Sequence, residues 1–428
     1  MRTPRGHGQS PALVVILAAV LILASSDPTG GQPVSDAERS VSQGITALYQ
    51  NRLEEAEAAF LKALELDPKQ GKALLGLAQI ALRRERTTKA EEYGKRALQL
   101  NPNDPEVHNA LGLISVARKD FKLAESQFKK AMALNASLIP AYINLAALYT
   151  TMKKTDQAIE LYKRAIKIDP NHPGAHQSLA LTYLWMGSYE EAIGEYRRLA
   201  ALVPDHPAPR NAVGEIYLRQ KRYDEARREF EAALKIDAAF APAHRGLGDL
   251  FLIGGEEKKA IEQYQKAIQH APGYAEAHGK LASIYQQQGR AEEAIASYKA
   301  AIAADPGMVP ALNNLAWLYA ERGRNLEEAL ELAKKARELA PQSSTHDTVG
   351  WVYYAKGQYE QAIASLKEAK RLSPNEPTIL YHLGMAYHQT GKRKEALAEF
   401  KRALSLNLAF PEAEKVKELI GRLEQSRN

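Results

Sequence analysis

The sequence predicts an all-α protein, a solenoid of about eleven helix-turn-helix units closed by a C-terminal capping helix. Three observations carry that expectation. The 428-residue chain is 45% hydrophobic and 25% charged but only 7% aromatic, and its heavy use of Ala, Leu, Glu and Lys favours helix over sheet. A small residue recurs every 34 positions from Gly44 and Ala78 to Gly384, a period typical of stacked repeats. Glycine and proline fall at fixed places within that period, as turns between helices require.

The chain opens with Arg2 and Arg5, then the apolar run Ala12 to Ala24 and the stretch SSDPTGG. Thirteen apolar residues fall short of the roughly twenty that span a bilayer. Residues 1–26 are therefore expected to be a cleaved signal peptide or an uncleaved N-terminal membrane anchor, with a buried apolar segment as the third reading. A Pro- and Gly-containing linker, 27–36, follows. Ser35 and Glu38 have the spacing of a capping box that starts the first helix.

The repeats then run from 37 to 410. A second column of alanines lies twelve residues after the first, from Ala56 to Ala396, and a third, four residues on, is mostly aromatic: Phe60, Phe128, Tyr162, Tyr196, Phe230, Tyr264, Tyr298 and Phe400. Two helices approach closely only where side chains are small, and the aromatic fills the hole beside that contact, so these columns are core. Gly187, Gly255, Gly289, Gly323, Gly357 and Gly391 are placed to end first helices with a left-handed residue. Acidic residues open the second helices and Lys or Arg close them, in keeping with the helix dipole.

One unit breaks step. Gly323 to Ala329 is six residues where other repeats have five, and Ala329 to Gly350 is 21 rather than 22. The surplus residue is placed in the turn near Asn325, either as neutral drift or as a specialised join between repeats nine and ten. At the end, 411–428, Pro411 can start a capping helix whose Val416, Leu419, Ile420 and Leu423 form one apolar stripe. No catalytic domain is expected after it.

Charge and motifs exclude several functions. The formal charge is +6 and no basic run forms a phosphate-binding stripe, so no nucleic-acid partner is expected. The chain has no cysteine, which removes disulfides, thiolate metal sites and a cysteine nucleophile. His108, His176, His244, His278 and His346 share position 4 of their units, but equivalent positions in stacked repeats lie about a helix diameter, roughly 10 Å, apart. They cannot share an ion held at about 2.1 Å, and half-buried packing is expected of them. No HExxH, GxSxG or Walker loop occurs. No cofactor, metal or enzymatic activity is expected.

The 34-residue helix-turn-helix with these columns resembles the tetratricopeptide repeat over residues 37–410. That resemblance implies a right-handed superhelix whose concave groove is lined by positions 2, 5, 9, 12 and 13 of the first helices and holds a protein or peptide partner. On those positions Asn211, Glu215 and Arg219 make a polar ladder continued by Arg245 and Asp249. Further along they give Asn313 and Trp317, then Asp347, Trp351 and Tyr354, then Tyr381, Met385 and His388. Aromatics interleaved with polar groups suit a binding hot spot. The tryptophans could equally pack between adjacent helices, and the ladder could be a solvated face held by its own salt bridges.

The carboxylate clamp of chaperone adaptors is not matched, nor is the asparagine ladder of O-linked sugar transferases, for which only Asn144 and Asn314 qualify. The segments NNLAWLYAERG, DTVGWVYYAKG and YHLGMAYHQTGK resemble bacterial repeat proteins of envelope assembly and exopolysaccharide or protein export. The expected function is a non-enzymatic exported scaffold, periplasmic or anchored at the inner membrane and facing the periplasm, touching membrane only through an uncleaved N-terminal segment. A regulatory or substrate-presenting subunit of an envelope enzyme complex is the alternative.

Overall fold

The computed structural model describes residues 35–425, so the expected signal or anchor and most of the linker lie outside the described residues. Among the described residues there are 23 α-helices and no strand. They form eleven helix pairs, from Asp36–Tyr49 with Leu53–Leu66 to Pro377–Gln389 with Arg393–Leu406, and then the single helix Ala413–Gln425. No described helix is long and apolar enough to cross a membrane. The chain divides into two compact units, one ending at Ile216 and the other beginning at Tyr217. Within each, a pair packs on the next through its second helix, and the first helices of neighbouring pairs also touch.

The columns are core. Every alanine of the second column, from Ala56 to Ala396, is fully buried, as are Phe60, Phe128, Phe230 and Phe400. The close approach is concrete: a Cβ added to Gly112 would sit 2.4 Å from the Phe128 ring, and one added to Gly384 would sit 2.5 Å from Phe400. Neither ring can retreat from a packed interior. Each pair leaves an apolar face that only its neighbour covers, so stability comes from stacking.

All six glycines expected to end first helices have positive φ, from 61° at Gly323 to 81° at Gly187. The other five units hold Asn51, Glu85, Lys119, Lys153 and Lys221 at the same place with φ of 56–62°, a conformation costing a non-glycine residue roughly 1–2 kcal/mol. The helix pair's packing therefore imposes the turn whatever residue occupies it. Acidic residues do open most second helices, but basic residues reach the last turn in only some, among them Lys167, Lys235 and Arg337.

Both ends are finished as the sequence indicates. Glu38 N–H donates to Ser35 Oγ at 3.2 Å and Ser35 N–H to Glu38 Oε2 at 2.9 Å, the reciprocal capping box. The final helix begins at Ala413, not Pro411, and buries Val416 and Leu423 with Leu419 and Ile420 packed beside them.

The irregular unit is resolved in detail. Asn325, with φ 49°, is an added left-handed residue just before helix Leu326–Leu339. That helix starts and ends one residue late, so only Ala340, Pro341 and Gln342 connect it to Ser343–Ala355, where the other joins between repeats have four residues, or five at 203–207. Five of the regular joins are turned by an acid or amide accepting a backbone N–H two residues on, as Asp305 Oδ1 does from Gly307 at 2.9 Å; such Asx turns preset the loop. The short join instead uses Thr345, whose hydroxyl donates to Ala340 O at 2.7 Å and accepts from Gln342 N–H at 3.1 Å. The first helices Val309–Glu321 and Ser343–Ala355 are the most closely apposed neighbouring first helices within either unit.

Candidate functional site

Where those two helices meet, the C-terminal unit carries an aromatic cluster. Trp317 stacks on Trp351 with ring centroids 5.9 Å apart, and Trp351 stacks on Tyr354 at 4.8 Å and 3°. All three are half-buried. His382, from the next first helix, lies 4.3 Å from Trp351 and 5.2 Å from Trp317. Its Nδ1 hydrogen bonds with Asp347 Oδ1 at 2.8 Å, and both residues are buried. The pair fixes the imidazole that supports the tryptophans, so the ladder is preorganised rather than loose.

Asn313 lies one turn before Trp317, with its Oδ1 buried and unpartnered. Tyr381 and Met385, expected on the open face, are instead buried, at 3% and 8% exposure. For Tyr381 the capping segment explains it, since Phe410 comes within 6.5 Å of its ring centre and Lys415 Nζ within 5.7 Å; Met385 belongs to the same core cluster as Phe410, Ala413 and Val416.

A second, polar cluster lies at helices Ala241–Ile253, Glu257–His270 and Ala275–Gln287. Asp249 accepts from Tyr264 Oη at 2.7 Å, from Arg245 at 2.9 Å, and pairs with Lys280 Nζ at 3.0 Å. Burial alone would raise Asp249, but the Tyr264 hydrogen bond and the Lys280 and Arg245 cations outweigh it and hold its pKa below the ordinary value. Burial first, and then the Asp249 charge, push the Tyr264 phenol up. The next unit repeats the plan with neutral groups: Tyr298 Oη meets Ser283 at 3.2 Å and Asn314 Nδ2 at 3.2 Å, and donates to Gln286 at 2.8 Å. A tyrosine in the aromatic column thus carries its hydroxyl through the core to a polar seam.

Of the expected polar ladder, Asn211 and Glu215 are half-buried and Arg219, on the same helix Ala208–Arg219, is exposed, while Arg245 and Asp249 pair at 2.9 Å on helix Ala241–Ile253. Asn211 Oδ1 is buried without a partner.

The histidine column has a structural task. Nε2 of His108, His176, His244 and His278 lies 2.9–3.0 Å from the carbonyl oxygen six residues earlier, in the preceding join. Nδ1 of the first three meets Gln127, Glu195 and Gln263 on the second helix. His108, His176 and His244 are buried rather than half-buried, and each ring ties join, first helix and second helix together. Among the described residues no group of three or more His, Asp or Glu could hold a metal ion.

Sequence reasoning missed three features. His382 sits 35 residues after Asp347, and Asn144 Nδ2 donates to Asn109 across the same interval, so the spacing was a usable signal. Lys280 was invisible until the stack put it beside Asp249. Trp185, the remaining tryptophan, is 61% exposed and lies one turn after the exposed Leu181, an apolar pair on the N-terminal unit's surface.

Models described as tetratricopeptide repeat match residues 41–105, 214–275 and 280–344, and others 151–216, 263–296 and 377–409. One described as TPR repeat matches 350–391. Together they cover well over half of the chain. No curated protein matches it. Among solved structures it is similar to the APC/C hetero-tetramer Cut9-Hcn1, at 16% identity over 96% of this chain and 98% of that one, with a TM-score of 0.49. It is also similar to yeast Tom70, at 13% identity over 91% and 96%, TM-score 0.41. A third is a thermophilic TPR protein of Thermus thermophilus, at 23% identity over 42% and 99%, TM-score 0.40.

Proposed function

This chain belongs to the tetratricopeptide repeat family, and from that premise we propose that it is a non-enzymatic scaffold whose first-helix face binds a protein or peptide partner. The observation that carries the reading is the Trp317, Trp351, Tyr354 ladder, half-buried and seated on the buried Asp347 and His382 pair. Rigid aromatics that are partly open and supported from below lose little entropy on binding. A cluster needed only for packing would have no reason to leave three large rings half-open. Arg2, Arg5 and the apolar run after them support work outside the cytoplasm, in the periplasm or at the inner membrane facing it, in envelope assembly or export.

The test is crosslinking and capture from envelope fractions with wild type beside a Trp317→Ala, Tyr354→Ala double variant, both first checked for helix content by circular dichroism. A partner retained by wild type and lost by a folded variant supports the reading; unchanged partners refute the ladder's role. A captured enzyme whose turnover rises with the bound chain would mark a regulatory subunit. Recovery of the native chain in the cytoplasmic fraction would overturn the location.

A further inference from the structure

We propose that the stripe Asn313, Trp317, Glu321 is an arginine-recognition site, so that the partner presents an arginine side chain to the ladder. The inference rests on the scaffold reading and names the chemistry of its ligand. The three residues are spaced four apart on helix Val309–Glu321 and so lie along one face. Each offers what a guanidinium needs. Asn313 Oδ1 is a buried acceptor with no partner, a cost that a ligand N–H would relieve. Trp317 ends the ring stack, whereas Trp351 is occupied by Trp317 and Tyr354. The end ring is therefore the one on which a planar cation can stack.

Glu321 supplies the charge. It is exposed and makes no ion pair among the described residues. It is also the last residue of its helix, where the dipole disfavours a carboxylate. Nothing in the local structure is gained by an acid there. Across repeats nine to eleven the positions on this face hold the acids Glu321 and Asp347 and no lysine or arginine, in a chain of net charge +6.

The cluster already holds one cation. Lys415 of the capping helix places Nζ 5.7 Å from the Tyr381 ring centre, and its hydrogen bond with Tyr381 outweighs the desolvation that would lower its pKa and keeps it raised. The Tyr381 end is thus filled from within the chain, and the Trp317 end is the one left open. Arginine fits that end better than lysine, because a flat fork can stack on the ring and still point N–H groups along the helix face toward a neighbouring oxygen.

The experiment titrates the full chain with acetyl-Leu-Arg-Leu-Arg-Leu-amide, its citrulline counterpart and its lysine counterpart, reading tryptophan emission. Citrulline keeps the shape and removes the charge. Saturable binding of the arginine peptide about tenfold tighter than the citrulline peptide is expected, with lysine between. Glu321→Gln, at an exposed site that cannot threaten the fold, should bring the arginine peptide to the citrulline level. Equal titration by all three peptides, absence of saturable binding, or indifference to Glu321→Gln would overturn the proposal. Should capture of a partner still depend on Trp317 while the peptides titrate alike, the scaffold reading stands and the arginine preference falls.

Discussion

Between repeats seven and eight, the four-residue join 271–274 leaves room for charge: Asp249 of one first helix pairs with Lys280 of the next at 3.0 Å. Between repeats nine and ten, the join is three residues, and the same position 9 carries Trp317, stacked on Trp351. A join shortened by one residue draws the first helices together, and direct ring stacking replaces a bridge of long polar side chains. The repeat therefore fixes where side chains point, while join length fixes what can span the gap. The added Asn325 is the other half of that change, since without it the short join would leave the later units out of phase.

The sharpest way to break the contrast is to remove the middle ring. Trp351→Ala should cost about 3–4 kcal/mol in urea unfolding, because Trp351 touches Trp317, Tyr354, Tyr381 and His382. A loss below about 1 kcal/mol would mean that the ladder is surface decoration rather than the substance of the join.

The polar join should yield less and respond to pH. Asp249→Asn is expected to cost about 2 kcal/mol at pH 7, leaving Arg245 and Lys280 with a weaker acceptor. Because the folded pKa of Asp249 is depressed, its contribution is present above the unfolded value of about 3.9 and lost as pH falls through the folded one. Wild type and variant should therefore converge in stability as the solution is acidified. Parallel curves down to the acid transition would show that Asp249 acts by shape alone.

Lengthening the short join tests cause directly. A glycine inserted after Pro341 restores four residues and should let the tryptophans separate, with a red shift in emission and a loss of about 1 kcal/mol, the worth of an aromatic pair. Loop closure itself contributes little for one residue. If emission is unmoved, the apposition is set by the helices and not by the join.

What the sequence made legible follows the same division. The glycine and alanine columns, the buried aromatics, the capping box and the place of the extra residue are local or periodic facts, and a 34-residue repeat displays them directly. Facts that depend on the next unit were harder. Tyr381 and Met385 occupy open positions by periodicity, yet both are buried, Tyr381 against the capping segment. His382 lies off the positions assigned to the groove and matters only because Asp347 reaches it across the stack. Glu85 and Lys119 carry no turn signal, and their left-handed conformation is dictated by the helices on either side.

The smallest expected effect concerns that turn geometry where it is doubled. In repeat seven Gly255 alone takes the left-handed conformation, but repeat nine has Gly323 and then Asn325. Asparagine tolerates this region better than other non-glycine residues, so Asn325→Gly should raise stability by only about 0.5 kcal/mol or less. Lys221→Gly, relieving the same conformation at φ 61°, should gain nearer 1 kcal/mol. Paired thermal melts would check the ranking. If Asn325→Gly instead lowers the midpoint, the 3.4 Å bond from Asn325 Nδ2 to Glu328 outweighs the relief of backbone strain, and the extra residue is a cap as well as a spacer.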